Sequence, residues 1–172
     1  MQVKVIGEYG YEFALLGISL SRNQPLENMP KVASNLHNKD GGHNKFLEQI
    51  AVWIDITAPR YSWQQLATYR VGNSWQSEST MYTITKKPLD QSNFEHPIDE
   101  EVLQHLNSLI TKEDLDAVKN VLPEGFLQRR IMSTNYKALR NIVVQRRHHK
   151  LQEWHYFVNE VLAGLEHPEL ID

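Results

Sequence analysis

The chain contains no cysteine. That absence excludes a disulfide framework, a thiolate metal site and covalent catalysis by a thiol, so stability has to come from packing or oligomerisation. No apolar run approaches the roughly 18–20 residues of a membrane span, and charges interrupt every stretch that starts one. The opening residues, MQVKVIGEYG, lack the apolar core and small-residue cleavage site of a signal peptide, which makes the cytoplasm the expected location with no membrane partner. Neither a P-loop nor a G-x-G-x-x-G occurs, so a glycine-rich phosphate cradle has no support. A net charge of -3 gives no electrostatic case for nucleic acid as a partner.

What is present suits one folded domain over residues 1–172, with 41% hydrophobic and 9% aromatic residues. Val3 to Ile6 and Phe13 to Ile18 read as two short strands joined by a turn at Gly7 and Gly10. Residues 21–44 are rich in Asn, Pro and Gly, with a short helix expected around Lys31 to His37. Ile50 to Thr57 is the strongest strand signal, apolar and β-branched, stopped by Pro59. A helix capped by Ser62 is expected to Arg70, and a strand over Ser79 to Thr85. Asp99 to Ile110 and Lys112 to Leu122 carry apolar residues at helical spacing. The pattern is α+β.

The last segment is the most regular. Ser133 or Thr134 is expected to cap a helix running to about Leu162, with Gly164 as its stop. At about 100° per residue, Leu139, Val143, Trp154, Phe157, Val161 and Leu165 fall on one stripe. Asn135 and Arg146 would then project in nearly the same direction, beside a line through Lys137 and Asn141. Such a stripe of amides and cations suits an anionic or heteroaromatic ligand, although a solvated helix face is the commoner case. The basic runs at 128–130 and 146–150 suit nucleotide phosphates or acids across a subunit interface. No metal is expected from His148, His149 and His155, because adjacent histidines diverge on a helix and no carboxylate completes a ligand pattern. His43 follows Asp40-Gly41-Gly42 and is either a turn residue or a ligand-contacting loop histidine. The four tryptophans are expected as core or interface anchors.

Read together, several segments resemble the flavin-dependent thymidylate synthase family, of which this chain would be a divergent, compact member. Gly42-His43 with Phe46-Leu47-Glu48-Gln49 resembles its GH…FEH loop, Thr57-Ala58-Pro59 its strand end, and Gln65 with Thr68-Tyr69-Arg70 its Gln and Arg-His-Arg elements. Val121-Leu122-Pro123, Asn135-Tyr136-Lys137-Ala138-Leu139, Arg146 and Leu151-Gln152 resemble VLP, N-A-R-S-L, LR and AQ. Residues 71–82 resemble S-x-N-E-x-S-x-R-Y with one inserted residue. Three positions depart from the pattern: Gln49 stands for a histidine, Lys137 for an arginine, and Met81 for a phosphate-binding arginine.

The resemblance implies a twisted, mostly antiparallel sheet with flanking helices and a long C-terminal helix, in a homotetramer whose active sites draw on several subunits. It implies FAD as cofactor, with methylenetetrahydrofolate and NADPH as co-substrates, and transfer of a one-carbon unit to C5 of dUMP, a pyrimidine deoxynucleotide, to give dTMP. No enzyme nucleophile attacks the pyrimidine on that route, which accords with the absence of cysteine. Arg146 matches the catalytic arginine that favours the ionised uracil ring. His43, Tyr69, Arg70, Asn135, Lys137 and Asn141 match flavin contacts, and Gln65, Glu78, Ser79, Tyr82 and Lys119 match nucleotide contacts. Three other readings stay open: C5-hydroxymethylation of dUMP or dCMP, a non-catalytic nucleotide- or nucleic-acid-binding module on the same fold, and a purely structural oligomer.

Overall fold

A computed structural model describes residues 1–172. Four strands and eight helices follow in the order β1 (Gln2–Tyr9), α1 (Tyr11–Arg22), α2 (Met29–Leu36), β2 (Ala51–Pro59), α3 (Arg60–Leu66), β3 (Ser74–Ser77), α4 (Thr80–Thr83), α5 (Glu100–Thr111), α6 (Leu115–Val121), β4 (Leu127–Asn135), α7 (Tyr136–Arg146) and α8 (Gln152–Gly164). The strands form one open antiparallel sheet in the order β1-β2-β4-β3. The α+β expectation holds. No helix is long and apolar enough to cross a membrane.

Burial along β2 shows why that strand was legible. Val52, Ile54, Ile56 and Ala58 are fully buried while Trp53 faces outward, the two-residue alternation of a sheet with one packed face. By contrast, Phe13 to Ile18 is helix, not strand. Its buried members are Ala14, Leu15 and Ile18, a helical spacing, and Phe13 and Leu16 are exposed. Gly10 makes that start possible: it has φ +99°, and a Cβ there would lie 2.4 Å from the Gln49 carbonyl oxygen.

Three further boundaries differ from the sequence expectation. Pro59 precedes the first turn of α3, so Ser62 lies inside the helix and is buried rather than capping it, and the helix ends at Leu66. Ser79 to Thr85 contains α4, and the strand lies earlier, at β3. The Thr83 hydroxyl donates to the Ser79 carbonyl at 3.0 Å, a side-chain bond that closes the turn in place of a ladder. The long terminal helix is two helices. Asn135 ends β4 and caps α7, and Arg147 to Leu151 separates α7 from α8. Asp99 and Asp114 cap α5 and α6 by accepting from Glu101 N–H at 2.8 Å and Ala117 N–H at 3.0 Å.

By contacts the chain falls into two compact units, residues 1–2, 56–68 and 76–130 in one, and residues 3–55, 69–75 and 131–172 in the other. The core of the first gathers Ile84, Leu89, Phe94, Leu103, Leu106, Ile110, Val118, Leu122 and Phe126. In the second, α1 packs on α2 and on the 3-10 turn Lys45–Gln49, and α7 packs on that same turn and on α8. Leu139, Val143, Trp154, Phe157, Val161 and Leu165 are all buried here, as the stripe predicted, although the helix carrying them is broken. Tyr136 anchors the start of α7. Its hydroxyl donates to Glu8 at 2.6 Å and accepts from His167 N–H at 3.1 Å; burial, then Glu8, pushes its pKa well above the ordinary tyrosine value.

Candidate functional site

The second unit holds a cavity of about 580 Å³ along α7. Asn135, Lys137, Ala138, Arg140, Asn141 and Val144 line one side, with Val71 and Gly72, and Asp40, Asn44 and Glu48 complete the wall. Asn135 does not project along the helix as the sequence spacing suggested. As the cap it turns back, and its side-chain oxygen accepts from Ala138 N–H at 3.0 Å. That bond leaves its amide nitrogen free of the helix, and Gly72 meets it there. A Cβ on Gly72 would lie 2.9 Å from Asn135 Nδ2, and φ at Gly72 is +73°, so only glycine lets the 69–75 loop come this close. Asn73 holds the loop in shape. It donates to the carbonyls of Tyr69 at 3.0 Å and Val71 at 3.2 Å, and accepts from the Thr134 hydroxyl at 2.6 Å.

Lys137 reaches across the cavity wall to Glu48, with Nζ 2.6 Å from Oε1. Further along α7 a relay of hydrogen bonds links three of the sequence-predicted residues. Arg146 Nε–H donates to the Tyr69 hydroxyl at 2.7 Å, and that hydroxyl donates to Gln145 Oε1 at 3.1 Å. The Gln145 amide then donates to Asn141 Oδ1 at 2.8 Å. The guanidinium of Arg146 lies 4.5 Å over the ring of Trp154 and 5.4 Å from the ring of Tyr69. A cation set between two aromatic faces and fixed at Nε is held in direction as well as place.

Asn135, Lys137 and Asn141 thus share one cavity, and Tyr69 and Arg146 join it through the relay. The other two proposed flavin contacts lie elsewhere on this unit. Arg70 is exposed on the 69–75 loop. His43 is exposed and lines a separate cavity of about 310 Å³ with Arg22, Gly41, Gly42, Lys45 and Gln49.

The proposed nucleotide contacts lie in the first unit. Glu78 continues the pairing of β3 with β4: its N–H donates to the Arg129 carbonyl at 2.9 Å and its carbonyl accepts from Gln128 Nε2 at 2.9 Å. Its carboxylate accepts from the Thr83 hydroxyl at 3.3 Å. Ser79 caps α4, which carries Thr80 and the exposed Met81 and Tyr82. Lys119, on α6, donates to the buried Thr80 hydroxyl at 2.6 Å. A cation therefore stands at the turn that carries Met81. Gln65 is half-buried on α3.

Sequence reasoning missed Asn44, Glu48 and Arg140 as wall residues and Thr80 as the seat of Lys119. Glu48 sat inside the GH…FEH-like loop, and its partner 89 residues later left no trace in the spacing. Arg140 carried the signal of a cation three residues beyond Lys137 on the same helix.

The thymidylate synthase complementing protein family model matches residues 17–166. No curated protein sequence matches the chain. Two crystal structures of the flavin-dependent thymidylate synthase ThyX from Helicobacter pylori with FAD and dUMP superpose on the whole chain at a TM-score of 0.83 and 21% identity, covering 98% and 97% of those chains. At that identity the likeness is one of fold.

Proposed function

This chain belongs to the thymidylate synthase complementing protein family, and on that premise we propose that it is a flavin-dependent thymidylate synthase. The observation that carries the reading is the wall of α7, where Asn135, Lys137 and Asn141 line one cavity and Arg146 is tied to Asn141 through Tyr69 and Gln145. The cavity fits FAD. Its volume lies within the roughly 300–1,000 Å³ of small-molecule sites. Asn135 and Asn141, whose side-chain oxygens are held by Ala138 and Gln145, offer amide N–H groups to a heteroaromatic ring, and the missing Cβ at Gly72 lets the loop close on the cap. Bound FAD would supply the two-electron chemistry that turning a methylene into a methyl group requires.

The reaction joins the methylene carbon of methylenetetrahydrofolate to C5 of dUMP, with loss of the C5 proton; the two carbon–nitrogen bonds to the folate break, tetrahydrofolate leaves, and NADPH is the source of the hydride that completes the methyl. Arg146 stabilises the ionised uracil ring, because a fixed cation beside N3 lowers the cost of the anion that makes C5 nucleophilic. Lys119, seated on Thr80 beside Ser79, takes the charge role at the phosphate that Met81 cannot fill. Glu78, Tyr82 and Gln65 complete the nucleotide contacts. The proposed homotetramer with shared active sites requires a self-association surface, and the exposed apolar side of α1, where Phe13, Leu16 and Leu20 follow the exposed Tyr9, offers one.

Mass spectrometry of the nucleotide tests this reading. Purified protein with FAD, dUMP, methylenetetrahydrofolate and NADPH is expected to return a nucleotide heavier by one CH2. An unchanged nucleotide overturns the enzyme reading, and a gain of CH2O overturns methyl transfer.

A further inference from the structure

We propose that Arg140 holds the diphosphate of the flavin dinucleotide, supplying from α7 the positive charge that Thr68 and Tyr69 take away from the signature loop. The assignment rests on the flavin reading above. The cavity wall carries two cations, Lys137 and Arg140, and two acids, Asp40 and Glu48. Lys137 is neutralised by Glu48 at 2.6 Å. Arg140 forms no ion pair with Asp40 or with any other acid. The Nε of Arg140 is also buried without a hydrogen-bond acceptor. A buried N–H left unanswered is costly, and a guanidinium is well suited to fill the gap with an anion, because its planar fork meets two phosphate oxygens at once. The other polar groups on the wall sort themselves by chemistry. Asn44, Asn135 and Asn141 are neutral amides suited to ring edges and ribose, which leaves Arg140 as the group matched to the doubly anionic middle of FAD.

The test separates the diphosphate from the ring and from the nucleotide substrate. Affinities of wild type, Arg140→Gln and Arg140→Lys are measured for FAD, riboflavin, ADP and dUMP by flavin fluorescence and calorimetry, with thermal melts of all three proteins. Arg140→Gln is expected to weaken FAD and ADP by about tenfold to a hundredfold, the range of a hydrogen bond to a charged group. Riboflavin and dUMP should stay within about twofold of wild type, since neither meets Arg140 through a diphosphate. Arg140→Lys, which keeps the charge and loses the fork, should fall between; it decides the matter if the glutamine variant melts early. Equal losses for FAD and riboflavin, a loss for dUMP instead, or no loss at all would overturn the proposal. If wild type binds neither flavin, the flavin reading fails, and ADP then decides for Arg140 alone: binding that Arg140→Gln abolishes upholds a diphosphate site, and no ADP binding removes it.

Discussion

Tyr69 shows what a single residue in this site is worth. It occupies the histidine position of the Arg-His-Arg signature, yet its hydroxyl is spent on protein groups, accepting from Arg146 Nε–H at 2.7 Å and donating to Gln145 at 3.1 Å. We propose that it aims Arg146. Tyr69→Phe keeps the ring beside the guanidinium and deletes only the hydroxyl. The expected outcome is a fall in kcat of about tenfold, as for loss of one hydrogen bond to a charged group, with FAD affinity within about twofold of wild type. Steady-state kinetics alongside flavin fluorescence checks it; a variant that loses FAD but keeps kcat when saturated would make Tyr69 a flavin contact instead. At this scale the sequence carried Lys137, Asn141 and Arg146 through the family resemblance, because helical spacing alone suits a solvated face as well. It could show Arg140 as a cation one turn beyond Lys137 but not that it lacks an acidic partner, nor the bond between Tyr69 and Arg146 across a separation of 77 residues.

Among the elements, β2, α2, α5 and α6 were legible because each pairs a clear period with a stop or a cap. The run Phe13 to Ile18 was not: six apolar or small residues fit either period, and the turn that decides for helix depends on Gly10 lying against the Gln49 carbonyl. The break between α7 and α8 was equally hidden, because Arg147 to Leu151 holds no Gly or Pro. Histidines make it. His149 Nδ1 accepts from Leu151 N–H at 3.2 Å and His155 Nε2–H donates to the His149 carbonyl at 2.7 Å, so side chains take bonds that a continuous helix would have used. The joint should feel pH. Burial first, then the positive charge of Arg146, lowers the His149 pKa below the ordinary 6.5. Above that value the ring is neutral in the folded and unfolded chain and contributes nothing. As pH falls through it the unfolded chain takes up the proton that the fold resists, so stability is lost, fully once pH is below the depressed folded value. Thermal melts between about pH 7 and about pH 5 should show a smaller fall in Tm for His149→Asn than for wild type, since asparagine can still accept from Leu151. Parallel curves would acquit His149.

For the whole molecule, the missing cysteine left packing and oligomerisation as the sources of stability, and α1 carries an exposed apolar face that we propose for the second of these. Phe13 is 73% exposed and Leu20 75%, with Leu16 between them on the same helix face. An apolar stripe of this kind is unfavourable in water, at about 25 cal/mol per Å² left uncovered, and a second copy of the chain is the occupant that the family reading supplies. Sequence alone could not set this face apart from a buried one, because Ala14, Leu15 and Ile18 interleave with it and only packing separates the two sets. Replacing Phe13 and Leu20 together by Asp would place two charges in the proposed contact while leaving the buried residues of α1 untouched. Light scattering after size exclusion should then report a shift from tetramer to smaller species, with the circular dichroism spectrum unchanged. Because the proposed active sites draw on several subunits, thymidylate synthesis should fall at least tenfold in step with that dissociation and recover as protein concentration is raised. A double variant that stays tetrameric would put the interface on another face; one that dissociates and keeps full activity would mean that a single chain holds the complete site.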